Sequence, residues 1–321
     1  MSDSADQKIE INEVVMRDGL QMESRFIATN DKIDLANTLG QLGYARIEVT
    51  SLTSPKAIPM LADAEQLMQN IKRVAGVRYT ALVPNLRGAE RAIDCGVDEF
   101  NLVMSASETH NLCNLRMTRE QSFAGLVAVT EMAADHHLPV NISLSCSFGC
   151  PMEGDVASSE ILHWVERIAT LGVDGISLCD TTGMAYPSQA RALCAEVVEN
   201  YPGTAITGHF HNTRGMGLAN VVAALQAGVT RFDTSLGGLG GCPYAPGATG
   251  NVATDEVVHM LHCMGYDTGI ELAPLRAAAA ELEALVGHSL SSQVYHSGDR
   301  LTAHAPPAGF DEIRHRALSR R

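Results

Sequence analysis

Gly43-Tyr44-Ala45-Arg46-Ile47-Glu48-Val49 is a glycine followed by a short apolar strand, and the same arrangement returns at Gly96 to Leu102, Gly172 to Leu178 and Gly228 to Thr234. In each copy an apolar residue sits four positions after the glycine. The next position is polar every time, namely Glu48, Asn101, Ser177 and Asp233, as expected of a strand whose alternate side chains enter different environments. The intervals between these glycines leave room for two strand-helix units each, and the intervening strands are expected at Val77 to Val83, Pro139 to Ser145 and Ala205 to His209. Ile9 to Val15 brings the number to eight. Amphipathic helices fall between them: Leu218, Val221, Val222 and Leu225 recur with helical spacing, as do Val257, Leu261 and Met264, and Thr118 with Gln121 forms an expected capping box.

Short strands strictly alternating with helices predict a parallel sheet with right-handed crossovers, and eight repeats predict its closure into an α/β (β/α)8 TIM barrel. The chain has 321 residues, more than the roughly 250 of one such barrel. The expected division is a catalytic barrel over 8–270 and a short C-terminal helical extension and tail over 271–321. Within the latter, Leu272 to Val286 reads as an appended helix, and the tail from Ser289 as loose or interface-forming.

Composition excludes several function classes. The sequence is 45% hydrophobic and 19% charged, the proportions of an ordinary globular protein. No apolar run reaches the roughly 18 residues of a membrane span, and the acidic opening Met1 to Glu10 lacks the form of a signal peptide, so a cytoplasmic location is expected. A formal net charge of −14 argues against nucleic acid or an anionic membrane as partner, because neutralising phosphates requires clustered Lys and Arg. Eight cysteines are dispersed along the chain, and the Cys146 and Cys150 pair has no second pair at zinc-site spacing, so reduced thiols are expected.

Catalytic groups of a barrel lie at the carboxyl ends of its strands, and reactive residues collect there. Arg17 and Asp18 are expected at the end of strand one and Glu48 near the end of strand two. Asp180 follows strand six, and His209 and His211 end strand seven. Two histidines at i and i+2 in extended backbone point to one side. Taken alone, such a pair is more often structural, and Arg17-Asp18 taken alone is more often a surface ion pair. Position favours chemistry instead: together with Asp18, Glu48 and Asn251, the imidazoles make a mixed nitrogen and oxygen donor set that suits six-coordinate Mg2+ or Mn2+, with Zn2+ less favoured. Arg17, permanently charged, would face an oxygen that gains negative charge during reaction. Residues 237–251 hold six glycines around Cys242, which suits a mobile active-site loop. The segment lacks the Lys-Ser/Thr ending of a P-loop and the glycine fingerprint of a dinucleotide site.

The motifs MRDGLQ, RIEVTSLTSPK, SLCDTTG, HFHNT and GGLGGCPYAPGATGN, in that order, make the chain resemble 3-hydroxy-3-methylglutaryl-CoA lyases, metal-dependent aldolase-like TIM-barrel enzymes, from about residue 9 to beyond 290. The resemblance implies that Asp18, His209, His211 and Asn251 ligate a divalent cation with support from Glu48. It also implies that Arg17 faces the thioester oxygen and that Cys242 joins acid-base catalysis. Gln21, Asn114 and Asp180, with Arg17, would contact an acyl-CoA substrate. A homodimer or higher homo-oligomer is implied as well. The related isopropylmalate and homocitrate synthases share Arg-Asp and HxH but not the Gly-rich Cys loop, so a lyase is expected ahead of a condensing acyltransferase. A barrel that has lost catalysis is the further alternative. Three departures from the family pattern stand out: Asn212 replaces an Asp, Ser24-Arg25 replaces a Lys, and Val15-Met16 replaces Gly-Pro before Arg17.

Overall fold

The computed structural model describes residues 8–241 and 250–319. Eight parallel strands close into a barrel in sequence order: β1 (Glu10–Glu13), β2 (Arg46–Ser51), β3 (Arg78–Leu82), β4 (Glu99–Ser105), β5 (Val140–Ser145), β6 (Gly175–Asp180), β7 (Ala205–Phe210) and β8 (Arg231–Thr234). Closure runs through β1 against β8, where Glu10 pairs with Arg231 and Glu13 with Thr234. The eight strands expected from the sequence are all present. The helices between them are α1 (Thr29–Gly40), α2 (Ala64–Asn70), α3 (Leu86–Asp94), α4 (Glu108–Leu115), α5 (Arg119–Asp135), α6 (Ser158–Ala169), α7 (Pro187–Asn200) and α8 (Gly217–Gln226), and α9 (Thr254–Cys263) follows β8. No helix among the described residues is long and apolar enough to cross a membrane.

The repeat that predicts the strands has a structural cause. Its four glycines, Gly43, Gly96, Gly172 and Gly228, all have positive φ, between 71° and 95°, where the chain leaves a helix and turns into a strand. The apolar residues four positions on, Ile47, Phe100, Ile176 and Phe232, are fully buried in the core between sheet and helices. Their polar successors Glu48, Asn101, Ser177 and Asp233 face the opposite way and line the bore of the barrel together with Asn12, Arg46, Thr80, Glu99, Asn141 and Thr207. The main apolar core is therefore the annular layer outside the strands, and the bore is held by polar side chains. One chain of amides crosses it: Asn101 Nδ2 donates to Glu48 Oε1 (2.7 Å), while Asn101 Oδ1 accepts from Asn141 Nδ2 (3.0 Å) and Ser143 Oγ (2.9 Å).

Local signals read from the sequence hold with two corrections. Thr118 and Gln121 form the reciprocal capping box at the start of α5, and Val221, Leu225, Val257 and Leu261 are buried. Met264 lies one residue past α9 and is exposed, so its helical spacing reflects the end of the helix and not its buried face. α10 (Leu272–Val286) buries Leu275, Ala278, Ala279 and Leu282, packing on α1 and α9. The stretch after Ser289 is not loose throughout: Leu290 is buried, Ser292 Oγ donates to Asp255, and Gln293 N donates to Glu256 Oε1 at 2.7 Å. α11 (Gln293–Ser297) is thereby docked beside α9, whereas α12 (Phe310–Leu318) is exposed along its length.

Gly43 tests this account of the repeat. A Cβ at this position would overlap the Gly269 carbonyl oxygen as well as straining a backbone at φ 93°. Gly43→Ala should therefore lower unfolding free energy by about 1–3 kcal/mol in a denaturant titration; a loss below about 0.5 kcal/mol would contradict this reading.

Candidate active site

Arg17 and Asp18 do not extend β1, as expected from the sequence, but lie in a five-residue π-helical turn, Val15–Gly19, that follows it. The reason is Glu13. Val14 N still joins the ladder by donating to Thr234 O (2.9 Å), but Val15 N donates to the Glu13 carboxylate (2.9 Å) and the chain curls away. Asp18 N and Arg17 N then donate to Val14 O, at 2.8 and 3.1 Å. Val15 and Met16 are fully buried beneath the turn.

Glu13 reaches further than this turn. Its carboxylate also accepts from Leu236 N (2.9 Å), Tyr44 OH (2.7 Å) and Thr254 Oγ1 (2.8 Å), joining β1, the segment before β2, the segment after β8 and the start of α9. Burial raises its pKa to about 7 against the pull of these four donors. The sequence reading does not single out Glu13; the signal available is its place on the same side of the strand as Ile9 and Ile11, an acid where the alternation of β1 calls for an apolar residue.

Asp18 organises the site. Its Oδ1 accepts from Arg17 Nη1 (2.7 Å) and Gln21 Nε2 (3.0 Å), which leaves Oδ2 turned toward Asn251 Nδ2 (2.8 Å). His209 Nε2 and His211 Nε2 each stand 4.0 Å from that same Oδ2. Burial alone would raise the Asp18 carboxyl, but Arg17 above all, with the neighbouring imidazoles and the Asn251 amide, outweighs it and holds the group below the usual range.

The two imidazoles are tilted 48° with centroids 5.3 Å apart. His209 Nδ1 is anchored on Asp233 Oδ2 (3.3 Å), and Asp233 is held in turn by Asn12 Nδ2 (2.9 Å). Burial works to lower His209, yet the hydrogen bond and charge of Asp233 raise it, whereas burial and the neighbouring His209 depress His211 to about 4. A neutral His211 offers a lone pair. The sequence marks Asp233 as the polar position of its repeat; its partnership with His209 depends on the β7–β8 register, His209 against Asp233.

Arg17 is clamped by Glu48, with Nε donating to Oε2 at 2.6 Å. Burial disfavours its charge, but Glu48 and Asp18 more than restore it, so the guanidinium stays protonated. Burial raises Glu48 despite Arg17. Asn251 reaches the cluster because the chain before it runs very close to the preceding loop: a Cβ at Gly250 would overlap the carbonyl oxygens of Gly238 and Gly240. His211 and Asn251 form an isolated bridge.

These residues fit a divalent cation. Side-chain donors of Asp18, His209 and His211 lie within 4.8 Å of one another, all buried. Donors at about 2.0–2.2 Å from a shared ion stand roughly 3–4.3 Å apart, so the 4.0 Å separations are too long for hydrogen bonds and suited to a common ion. Asn251 Oδ1 is buried without a hydrogen-bond partner, a free acceptor beside the cluster. Asp18 and Glu48 pair with the Arg17 guanidinium and a third carboxylate, Asp233, with His209, a surplus of acid that favours a further positive charge.

The other sequence-derived residues are placed differently. Gln21 bonds Asp18. Asp180 is buried as the last residue of β6, where Oδ1 accepts from Met184 N (2.7 Å) and Ala185 N (3.0 Å) while Oδ2 has no hydrogen-bond partner; burial raises its pKa to about 6. Asn114 is exposed on α4 and is not brought into the cluster. Cys242 lies outside the described residues.

Glu13 supplies a pH test. A carboxyl whose pKa is raised on folding adds most stability below its ordinary value of 4.5 and loses that contribution as pH rises through about 7. Glu13→Gln cannot titrate, so the difference in unfolding free energy between parent and variant should change with pH across this interval. A pH-independent difference would show that Glu13 ionises alike in the folded and unfolded chains.

Residues 8–282 match the HMGL-like family. The chain is 44% identical over 287 residues to the hydroxymethylglutaryl-CoA lyase of Bacillus subtilis, covering 89% of this chain and 96% of that protein. It is 39% identical to a Pseudomonas aeruginosa 3-hydroxy-3-isohexenylglutaryl-CoA/hydroxymethylglutaryl-CoA lyase, with the same coverage of 89% and 96%. A solved HMG-CoA lyase of Acinetobacter baumannii, in complex with coenzyme A and 3-methylmalate, superposes with a TM-score of 0.90 at 44% identity, covering 96% of this chain and 100% of that one.

Proposed function

The chain belongs to the HMGL-like family, and from that premise we propose that it cleaves 3-hydroxy-3-methylglutaryl-CoA, or a close 3-hydroxy-3-alkylglutaryl-CoA, to acetyl-CoA and a 3-oxo acid. With the methyl substrate the acid is acetoacetate. The observation that carries the reading is the gathering of Asp18, His209, His211 and the unpartnered Asn251 Oδ1 beside a largely buried guanidinium. The alternative, an acetyl-CoA-dependent condensing acyltransferase, is less favoured, since the similar proteins of closely matching length are lyases.

Asp18, His209, His211 and Asn251 would hold the cation, and their mixed oxygen and nitrogen donors favour Mg2+ or Mn2+. When bound, the cation supplies Lewis acidity toward the hydroxyl and carboxylate oxygens of the substrate. The chain's own residues do the rest. Arg17, with its Nε on Glu48 and one Nη on Asp18, keeps its remaining N–H groups for the thioester oxygen. As the C–C bond breaks, its electrons pass into the thioester, and the enolate oxygen gains the charge that Arg17 is positioned to meet. Asp233 holds His209 in one orientation, so that Nε2 faces the site. Asp180, with a free Oδ2 and a pKa near 6, is suited to accept a proton or hydrogen bond from substrate. The role of Cys242 as an acid-base group rests on the sequence resemblance. A cytoplasmic location and a homo-oligomeric state complete the proposal.

The test is an assay of purified protein with 3-hydroxy-3-methylglutaryl-CoA. Acetyl-CoA and acetoacetate should appear in equal amounts, cease with chelator and return with Mg2+ or Mn2+. Arg17→Lys should lower kcat about 100-fold or more, the cost of losing a shaped donor at a developing oxyanion. Release of free CoA from acetyl-CoA and a 2-oxo acid, or turnover indifferent to chelator, would contradict the reading.

A further inference from the structure

The mouth of the barrel has two unlike halves. Arg17, Asp18, Glu48, His209, His211 and Asp233 place charge and lone pairs on the side formed by β1, β2, β7 and β8. The side formed by β3 to β6 carries Asp180 at the end of β6 but is plainer between β3 and Cys179. Thr80, Asn101 and Ser177 line the bore, so strand alternation points the residues two positions further on, Leu82, Val103 and Cys179, inward as well and nearer the mouth. Leu82 and Val103 are only half-buried, whereas their immediate neighbours Ala81, Val83, Leu102 and Met104 are buried. They therefore border open space.

Cys179 joins this arc to the cluster of metal donors. It pairs with His209 in the β6–β7 ladder, its Sγ lies 3.5 Å from Ser177 O and beside the Ser143 side chain, and Ser143 stands opposite Val103 in the β4–β5 ladder. Resting on the lyase reading above, we infer that Leu82, Val103 and Cys179 form the apolar wall that receives the C3 substituent of the substrate, and that the Cys179 side chain sets the size of substituent admitted.

The chemistry of the substrate supports this placement. C3 carries a hydroxyl, a carboxymethyl arm, a thioester arm and the alkyl substituent. The first two are drawn to the cation site and the thioester to Arg17, which leaves the alkyl group with no partner on the charged side. Leu82, Val103 and Cys179 carry no formal charge, and burial of the alkyl group against them is favourable. A free thiol behaves as a small hydrophobe, and Cys179 is the member of the arc paired with a candidate ligand, hence the one close to C3. The substituent differs among similar proteins, since the Pseudomonas relative is named for both isohexenyl and methyl substrates.

The test compares kcat/KM for 3-hydroxy-3-isohexenylglutaryl-CoA and 3-hydroxy-3-methylglutaryl-CoA with the Mn2+-loaded enzyme. Cys179→Leu should lower the ratio of long to methyl substrate by about tenfold or more, and Cys179→Ala should raise it, since one methylene in an apolar pocket is worth roughly 10–200-fold. Ratios within twofold of the parent in both variants, with the methyl substrate still cleaved, would overturn the inference and leave the lyase reading standing. A parent that cleaves neither thioester would overturn both. Should the leucine variant fail to fold, the smaller alanine variant decides alone.

Discussion

Asp18 has two carboxylate oxygens with separate tasks, and the rest of the site depends on that division. Oδ1 is taken by Arg17 and Gln21, so it cannot turn away. Oδ2 is thereby aimed at Asn251 and at two imidazole nitrogens 4.0 Å distant. The elements that meet at this oxygen are distant along the chain, Asn251 being 233 positions from Asp18. Barrel closure brings them together: β1 pairs with β8, and β7 lies next to β8. Glu13 then fixes the turn that carries Asp18 against the segment that follows β8. A buried acid with four donors is costly to desolvate, and that cost shows in its raised pKa; in return it holds four parts of the chain together.

The fold was legible because one backbone requirement repeats. A positive-φ glycine ends the turn before β2, β4, β6 and β8, and the apolar and polar residues that follow it face the outer core and the bore in the same order each time. Asp18, His209, His211 and Asn251 were legible for a related reason, since barrel chemistry gathers at the carboxyl ends of strands. What escaped was whatever depends on register between strands. Asp233 orients His209 only because β7 and β8 pair as they do, and Asn101 supports Glu48 from two strands away. The π-helical turn escaped too: Val14 continues the ladder and Val15 leaves it, a difference made by a carboxylate two residues back and by no local preference of Val. Met264 shows the opposite failure, a helical period that ran one residue past its helix.

Polar lining gives the barrel its working shape. Amides and hydroxyls in the bore hold Glu48, and Glu48 holds Arg17, so the guanidinium is positioned from beneath. Toward the mouth the lining divides into a charged half and a plainer half, which separates the grip on reacting oxygens from contact with the remainder of a substrate. One framework can in this way retain its chemistry while the plainer half varies.

The claim on which the account turns is that one cation is shared by Asp18, His209, His211 and Asn251. Anomalous diffraction at the manganese edge from crystals grown with Mn2+ addresses it directly. A shared cation gives a single strong peak about 2.0–2.4 Å from Asp18 Oδ2, His209 Nε2, His211 Nε2 and Asn251 Oδ1. A peak elsewhere, or none at saturating Mn2+ with those four atoms unshifted, would contradict it.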